Sequence, residues 1–291
     1  MSRTKSKISR IILGLVGLAA IAYLSACSYI WVQQKQLIFR PHREIRKTPA
    51  DYDLAFEDLY LPIQSNSGDV ERMHCWWIPA DNPSDHYLIY LHGSALNIGA
   101  NVSHARRFKE LGFSVLLTSY RGYGKSEGSF PNETQVYADA EAAWNYLVKQ
   151  KGIRPGDIII YGHSLGGAVA INLAISHPEA KGLIAEATFT SIADMGRNSQ
   201  WYRFLPLGLI THQRFDSINK VSRLKVPVLY IHGTEDRKVP PEMSRELYNR
   251  TTSPKQLTLI SGGGHNNSAS VGGEKYLQAV RSFVNSTRRS I

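Results

Sequence analysis

Beyond residue 50 the chain alternates between short, nearly unbroken apolar runs and longer stretches in which apolar residues recur at helical spacing. The runs HYLIYL (86–91), FSVLLTSY (113–120), DIIIYG (157–162), GLIAEAT (182–188), PVLYIHG (227–233) and QLTLIS (256–261) have strand length. A strand with one wet face alternates apolar and polar residues, so unbroken runs predict strands buried on both faces. Leu165 to Ala174 has helical spacing. Strands alternating with helices predict an α/β fold, a mostly parallel central sheet with helices on both faces. The roughly 240 residues after the first fifty suit one such domain with a full core.

The first fifty residues follow a different pattern. Arg3, Lys5, Lys7 and Arg10 precede IILGLVGLAAIAYL, and no charge occurs from Ile11 to Gln34, a stretch of 24 residues. Two readings fit. A basic segment, an apolar run and LSAC at 24–27 are the parts of a lipoprotein signal, in which Cys27 becomes the lipidated first residue. Alternatively the stretch is long enough to cross a bilayer uncleaved. Residues 1–34 are thus a membrane anchor or lipoprotein signal peptide, and 35–291 the catalytic domain. Both readings predict a tethered, exported protein with that domain outside the cytoplasm. Flanking charge does not orient the segment, since Lys35, Arg40, Arg43, Arg46 and Lys47 balance the basic residues before it.

The chemistry begins where DIIIYG runs into HSLGG. Gly162, Ser164 and Gly166 fit GxSxG, in which a serine is thrust out of a tight strand-to-helix turn and small neighbours let strand and helix approach. A serine needs a base, and the base needs an orienting acid. Asp236 stands three residues after the turn glycine of PVLYIHG, where a carboxylate emerges from a parallel sheet. His265 follows a run of three glycines after the last predicted strand. The order Ser164, Asp236, His265 is that of a nucleophile-elbow hydrolase. Glu235 and Glu186 are the competing acids; His92, His163 and His232 stand beside turn glycines and read as structural. Backbone N–H groups of Leu165 and Ser94 are the candidate oxyanion donors.

The segments QQKQLIFRP, LHG, YRGYGKSEG, GHSLGG, TFTSIADM, HGTEDRKVP and GGGHNN together resemble the α/β-hydrolase superfamily, most closely its membrane-anchored bacterial serine hydrolases with a short lid. The resemblance implies a Ser164–Asp236–His265 triad but not the substrate, since the superfamily hosts esterases, lipases, thioesterases and peptidases on one scaffold. On that triad we read a membrane-tethered serine hydrolase cleaving carboxylic esters or thioesters through an acyl-enzyme. A peptidase or amidase of the same fold and a non-catalytic binding lipoprotein are the alternatives. It also implies a lid at about 190–222, where WYRFLPLGLI (201–210) gathers apolar residues that either line an acyl pocket or pack on the sheet.

Several other readings drop out. GKS at 124–126 ends like a phosphate-binding loop, but Ser119 stands where GxxxxGK[ST] requires glycine. Arg121 in that loop reads as a bracing cation. No metal or cofactor motif occurs. Hydrophobic residues make up 43% of the chain, which excludes disorder. The net charge of +10 is scattered without a nucleic-acid motif, so the expected polyanion is a membrane surface rather than DNA or RNA. The expected substrate is a small-molecule or lipid ester. Cys75, beside Trp76 and Trp77, reads as a buried strand residue, unpaired with Cys27.

Overall fold

The computed structural model describes residues 2–65, 68–82 and 86–287. The end of the predicted catalytic domain, 288–291, lies outside the described residues. Eight strands form one sheet: β1 (Glu57–Gln64), β2 (Val70–Ile78), β3 (Tyr87–Leu91), β4 (Ser114–Thr118), β5 (Ile158–His163), β6 (Gly182–Glu186), β7 (Val228–Gly233) and β8 (Lys255–Ile260). Their spatial order is β8-β7-β6-β5-β3-β4-β2-β1. All neighbours from β4 to β8 are parallel, whereas β2 pairs antiparallel with both β4 and β1. The antiparallel edge does not show as an unbroken run because β1 has one wet face. Its buried Leu61 and Ile63 alternate with exposed Pro62 and Gln64, and an edge strand tolerates the proline.

The helices are α1 (Ser2–Ile38), α2 (Val102–Glu110), α3 (Glu133–Asn145), α4 (Leu165–Ser176), α5 (Ile192–Arg197), α6 (Leu207–Ile210), α7 (Pro241–Arg250), α8 (Ser268–Gly272) and α9 (Glu274–Ser286). Successive strand residues point to opposite faces, and in β5 each face finds its own core. Ile158 and Ile160 pack in the cluster shared with α3, α4 and α7; Ile159 and Tyr161 pack in the cluster shared with α2 and α9. The central strands are therefore buried on both faces, as their unbroken apolar runs require, whereas edge strand β8 buries only Ile260.

α1 is one continuous helix of 37 residues, about 55 Å long. It is the one described helix long and apolar enough to cross a membrane. Ile11, Leu13, Val16, Leu18, Ile21 and Leu24 are all exposed. The helix does not end at residue 34 but runs to Ile38, and Ile30 and Gln34 are buried. Beyond it, Arg40–Pro41 pairs in parallel with Ala95–Leu96, which lashes the start of the catalytic domain to the loop after β3. Cys27 is half-buried and Cys75 is buried in β2, and both are free thiols. Burial pushes the Cys75 thiol far up.

Candidate active site

β5 ends and α4 begins around Ser164, whose backbone lies at φ 56°, ψ −119°. Such a conformation is costly for a non-glycine residue and persists only where the surroundings impose it. They do so sterically. A Cβ on Gly162 would sit 2.0 Å from the Gly166 carbonyl oxygen, and one on Gly166 would sit 2.0 Å from that of Leu91. Hydrogen bonds complete the clamp: Ser164 N–H donates to the Glu186 carbonyl at 2.9 Å, and Thr188 Oγ1 donates to the Ser164 carbonyl at 2.9 Å.

The structure brings Ser164, His265 and Asp236 together from three separate loops. His265 Nε2 lies 3.0 Å from Ser164 Oγ, and His265 Nδ1 lies 2.6 Å from Asp236 Oδ2. An ionised carboxylate only accepts, so Nδ1 carries the proton and Nε2 is left to accept from the serine hydroxyl. Asp236 Oδ1 accepts from the N–H groups of Lys238 (2.8 Å) and Val239 (3.0 Å). Burial alone would raise the Asp236 pKa. Hydrogen bonds from His232, His265 and Val239 outweigh it and hold the carboxyl well below the usual carboxylate range.

The support behind Asp236 comes from residues that no spacing in the sequence links. His232 Nε2 lies 3.2 Å from Asp236 Oδ2, and its Nδ1 lies 2.6 Å from the Ser244 hydroxyl. His163 Nε2 donates to the His265 carbonyl at 2.8 Å, bracing the loop that carries the imidazole. The competing acid Glu186 is committed elsewhere. Its Oε2 accepts from Tyr161 (2.8 Å) and Tyr276 (2.6 Å), beneath the elbow.

Leu165 is the first residue of α4, where an N–H has no partner within the helix. The peptide carrying the Ser94 N–H is held from its other side. His92 Nδ1 donates to the Gly93 carbonyl at 2.6 Å, and in a trans peptide the following N–H points the opposite way. The Ser94 carbonyl accepts from Tyr123 Oη (2.7 Å) and Arg40 N–H (2.8 Å). Burial drives the His92 pKa down to about 4. The YRGYGKSEG loop stands beside this assembly. Its Arg121 is buried against Asp139 at 2.6 Å and donates to the Gln64 carbonyl at 3.1 Å, a structural brace.

Two cavities meet at Ser164. One, of about 300 Å³, has no charged residue in its lining among the described residues and is bounded by Ile30, Leu37, Phe189, Met195 and Leu207. The other, of about 630 Å³, lies on the His265 side and carries Arg40, Lys238 and His104. The predicted lid divides between two fates. Tyr202 and Leu207 line the first cavity, whereas Trp201, Phe204 and Leu209 point outward.

Comparison with known proteins adds relatives to this geometry. A family model described as serine aminopeptidase, S33, matches residues 82–211 and 211–268. A Mycobacterium tuberculosis protein is 32% identical over 276 residues, 94% of this chain and 95% of that protein. The α/β hydrolase domain-containing protein WAV2 of Arabidopsis thaliana is 31% identical over 257 residues, 81% of each chain. Among solved structures, an esterase of Pyrococcus furiosus superposes with TM-score 0.68 at 23% identity, covering 86% of this chain and 98% of its own.

Proposed function

We propose, from the premise that this chain belongs to the α/β-hydrolase family and is a hydrolase, that it cleaves carboxylic esters or thioesters through a Ser164 acyl-enzyme while tethered to a membrane by α1. Ser164 Oγ attacks the carbonyl carbon as its proton passes to His265 Nε2. Asp236 accepts the Nδ1–H throughout and favours the imidazolium that forms. The oxyanion takes hydrogen bonds from the Leu165 and Ser94 N–H groups. Collapse expels the alcohol or thiol, which leaves with the proton from His265. Water then repeats the sequence in reverse and releases the acid.

The observation carrying this reading is the continuous relay Ser164 Oγ–His265–Asp236, at 3.0 and 2.6 Å, opening on an uncharged cavity. The family model's description favours a peptidase as the second reading. An aminopeptidase must hold a substrate ammonium, and no acidic residue lines either cavity among the described residues. Arg40 and Lys238 would repel one. A fluorophosphonate probe tests both the chemistry and the nucleophile. It should label the wild type and not Ser164→Ala, which should lose turnover by on the order of a millionfold. Equal labelling of both overturns the assignment, and failure to label the wild type returns the chain to a binding role.

A further inference from the structure

The uncharged cavity is not built by the catalytic domain alone. Ile30, Gln34, Leu37 and Ile38 of α1 line it together with Ser164. Their spacing of i, i+4, i+7 and i+8 is that of one helix face. On its other faces and in the turns before Ile30, the same helix exposes Ile21, Leu24, Tyr29 and Val32. Nothing else among the described residues covers those side chains, and the uncharged stretch from Ile11 to Gln34 is about 36 Å long, which exceeds a hydrocarbon core of about 30 Å. The end of the apolar span is thus also the wall of the cavity.

The lid faces the same way. Tyr23 Oη donates to the Phe204 carbonyl at 3.3 Å, so the lid tip stands beside the exposed part of α1. There Trp201, Phe204 and Leu209 are 77%, 70% and 83% exposed. Aromatic and aliphatic side chains left open beside an apolar span fit the boundary of a bilayer. Gln34 joins the two elements. Its Nε2 donates to the Ile210 carbonyl (2.8 Å) and lies 2.9 Å from His212 Nδ1, while its Oε1 accepts from His212 N–H (2.8 Å) and Gln213 N–H (3.0 Å). A buried amide with every position filled sets the spacing between helix and lid.

We infer that α1 is a wall of the substrate site as well as a tether, and that the cavity takes a long acyl chain of a membrane lipid ester or thioester. The chain passes from the bilayer between the last turns of α1 and the lid, bringing its carbonyl to Ser164. This deepens the serine-hydrolase reading and rests on it for the fate of the acyl group.

Photocrosslinking tests occupancy without turnover. Full-length Ser164→Ala in phosphatidylcholine vesicles would be irradiated with a palmitoyl ester carrying a diazirine near the chain end, and adducts mapped by peptide mass. Adducts are expected on residues 30–38 and 195–207, besides those on residues 11–24 that any membrane helix collects. Leu37→Trp, which fills the cavity, should lower the first set by roughly tenfold and leave the second unchanged. Adducts confined to 11–24, or a first set untouched by Leu37→Trp, overturn the inference. Failure of the wild type to hydrolyse any ester or take the fluorophosphonate would sink the serine-hydrolase reading alone, because the adduct map does not depend on Ser164.

Discussion

Ser164 stands between two regions held in place by opposite means. On the sheet side, backbone meets backbone: Gly162, Gly166 and Leu91 leave no room for a single added carbon. Asp236 has two backbone donors on one oxygen and two histidines on the other. On the lid side, one side chain, Gln34, holds residues 210, 212 and 213, and large apolar groups remain open. Steric exclusion tolerates no adjustment, whereas a polar latch and an uncovered face respond to their surroundings. On the proposed reading, the bond-making geometry is therefore insulated from a bilayer, and the shape of the uncharged cavity is not.

The contrast breaks first if the sheet side proves tolerant. Asp236→Asn should leave the fold intact and lower kcat by roughly ten-thousandfold, since the amide cannot hold the same imidazole tautomer. Near-normal steady-state rates in that variant would show that the relay is not used. Gly162→Ala places a methyl 2.0 Å from the Gly166 carbonyl. It should destabilise the protein by about 3 kcal/mol or more, read as denaturant midpoint, because only backbone movement relieves the contact.

The lid side should yield more gently. Gln34→Leu leaves the Ile210 carbonyl and two N–H groups without their partner, which costs about 1–3 kcal/mol in a buried site. Its KM for a palmitoyl ester should rise while that for an acetyl ester stays near the wild-type value. A parallel loss on both esters would mean that Gln34 supports the whole site and does not space the lid.

The smallest effect expected is on acid stability. His92 is fully buried, its Nε2 has no hydrogen-bond partner among the described residues, and burial lowers its pKa from 6.5 to about 4. The unfolded chain takes up this proton first as pH falls. The contribution is therefore complete above about 6.5 and is lost between there and about 4. Unfolding free energy should fall over that window, and that of His92→Gln should fall less, by about 1–2 kcal/mol at pH near 5. An identical pH profile for the two proteins would remove His92 from the account.

Much of this arrangement is legible in the sequence where the constraint is local. The elbow glycines are required by neighbours four residues apart, and the paired cores are required by unbroken apolar runs. What lies between distant segments is not. His232 and Ser244 behind Asp236, Tyr161 and Tyr276 around Glu186, and His163 beneath the His265 carbonyl are pairings that no spacing encodes. Gln34 is the sharpest case. In the sequence it closes an uncharged stretch, and only the approach of residues 210–213 gives its amide partners.

The α/β alternation, the strained turn at Ser164 and the apolar N-terminal span can be read from the chain alone. Periodicity and backbone sterics act over a few residues, so the order of residues suffices to state them. Only the fold settles which carboxylate meets His265, which polar groups hold that pair, and that the last turns of α1 line the uncharged cavity. Those outcomes depend on directions in which loops leave separate strands, and on the requirement that each buried polar group find a partner wherever the fold happens to supply one.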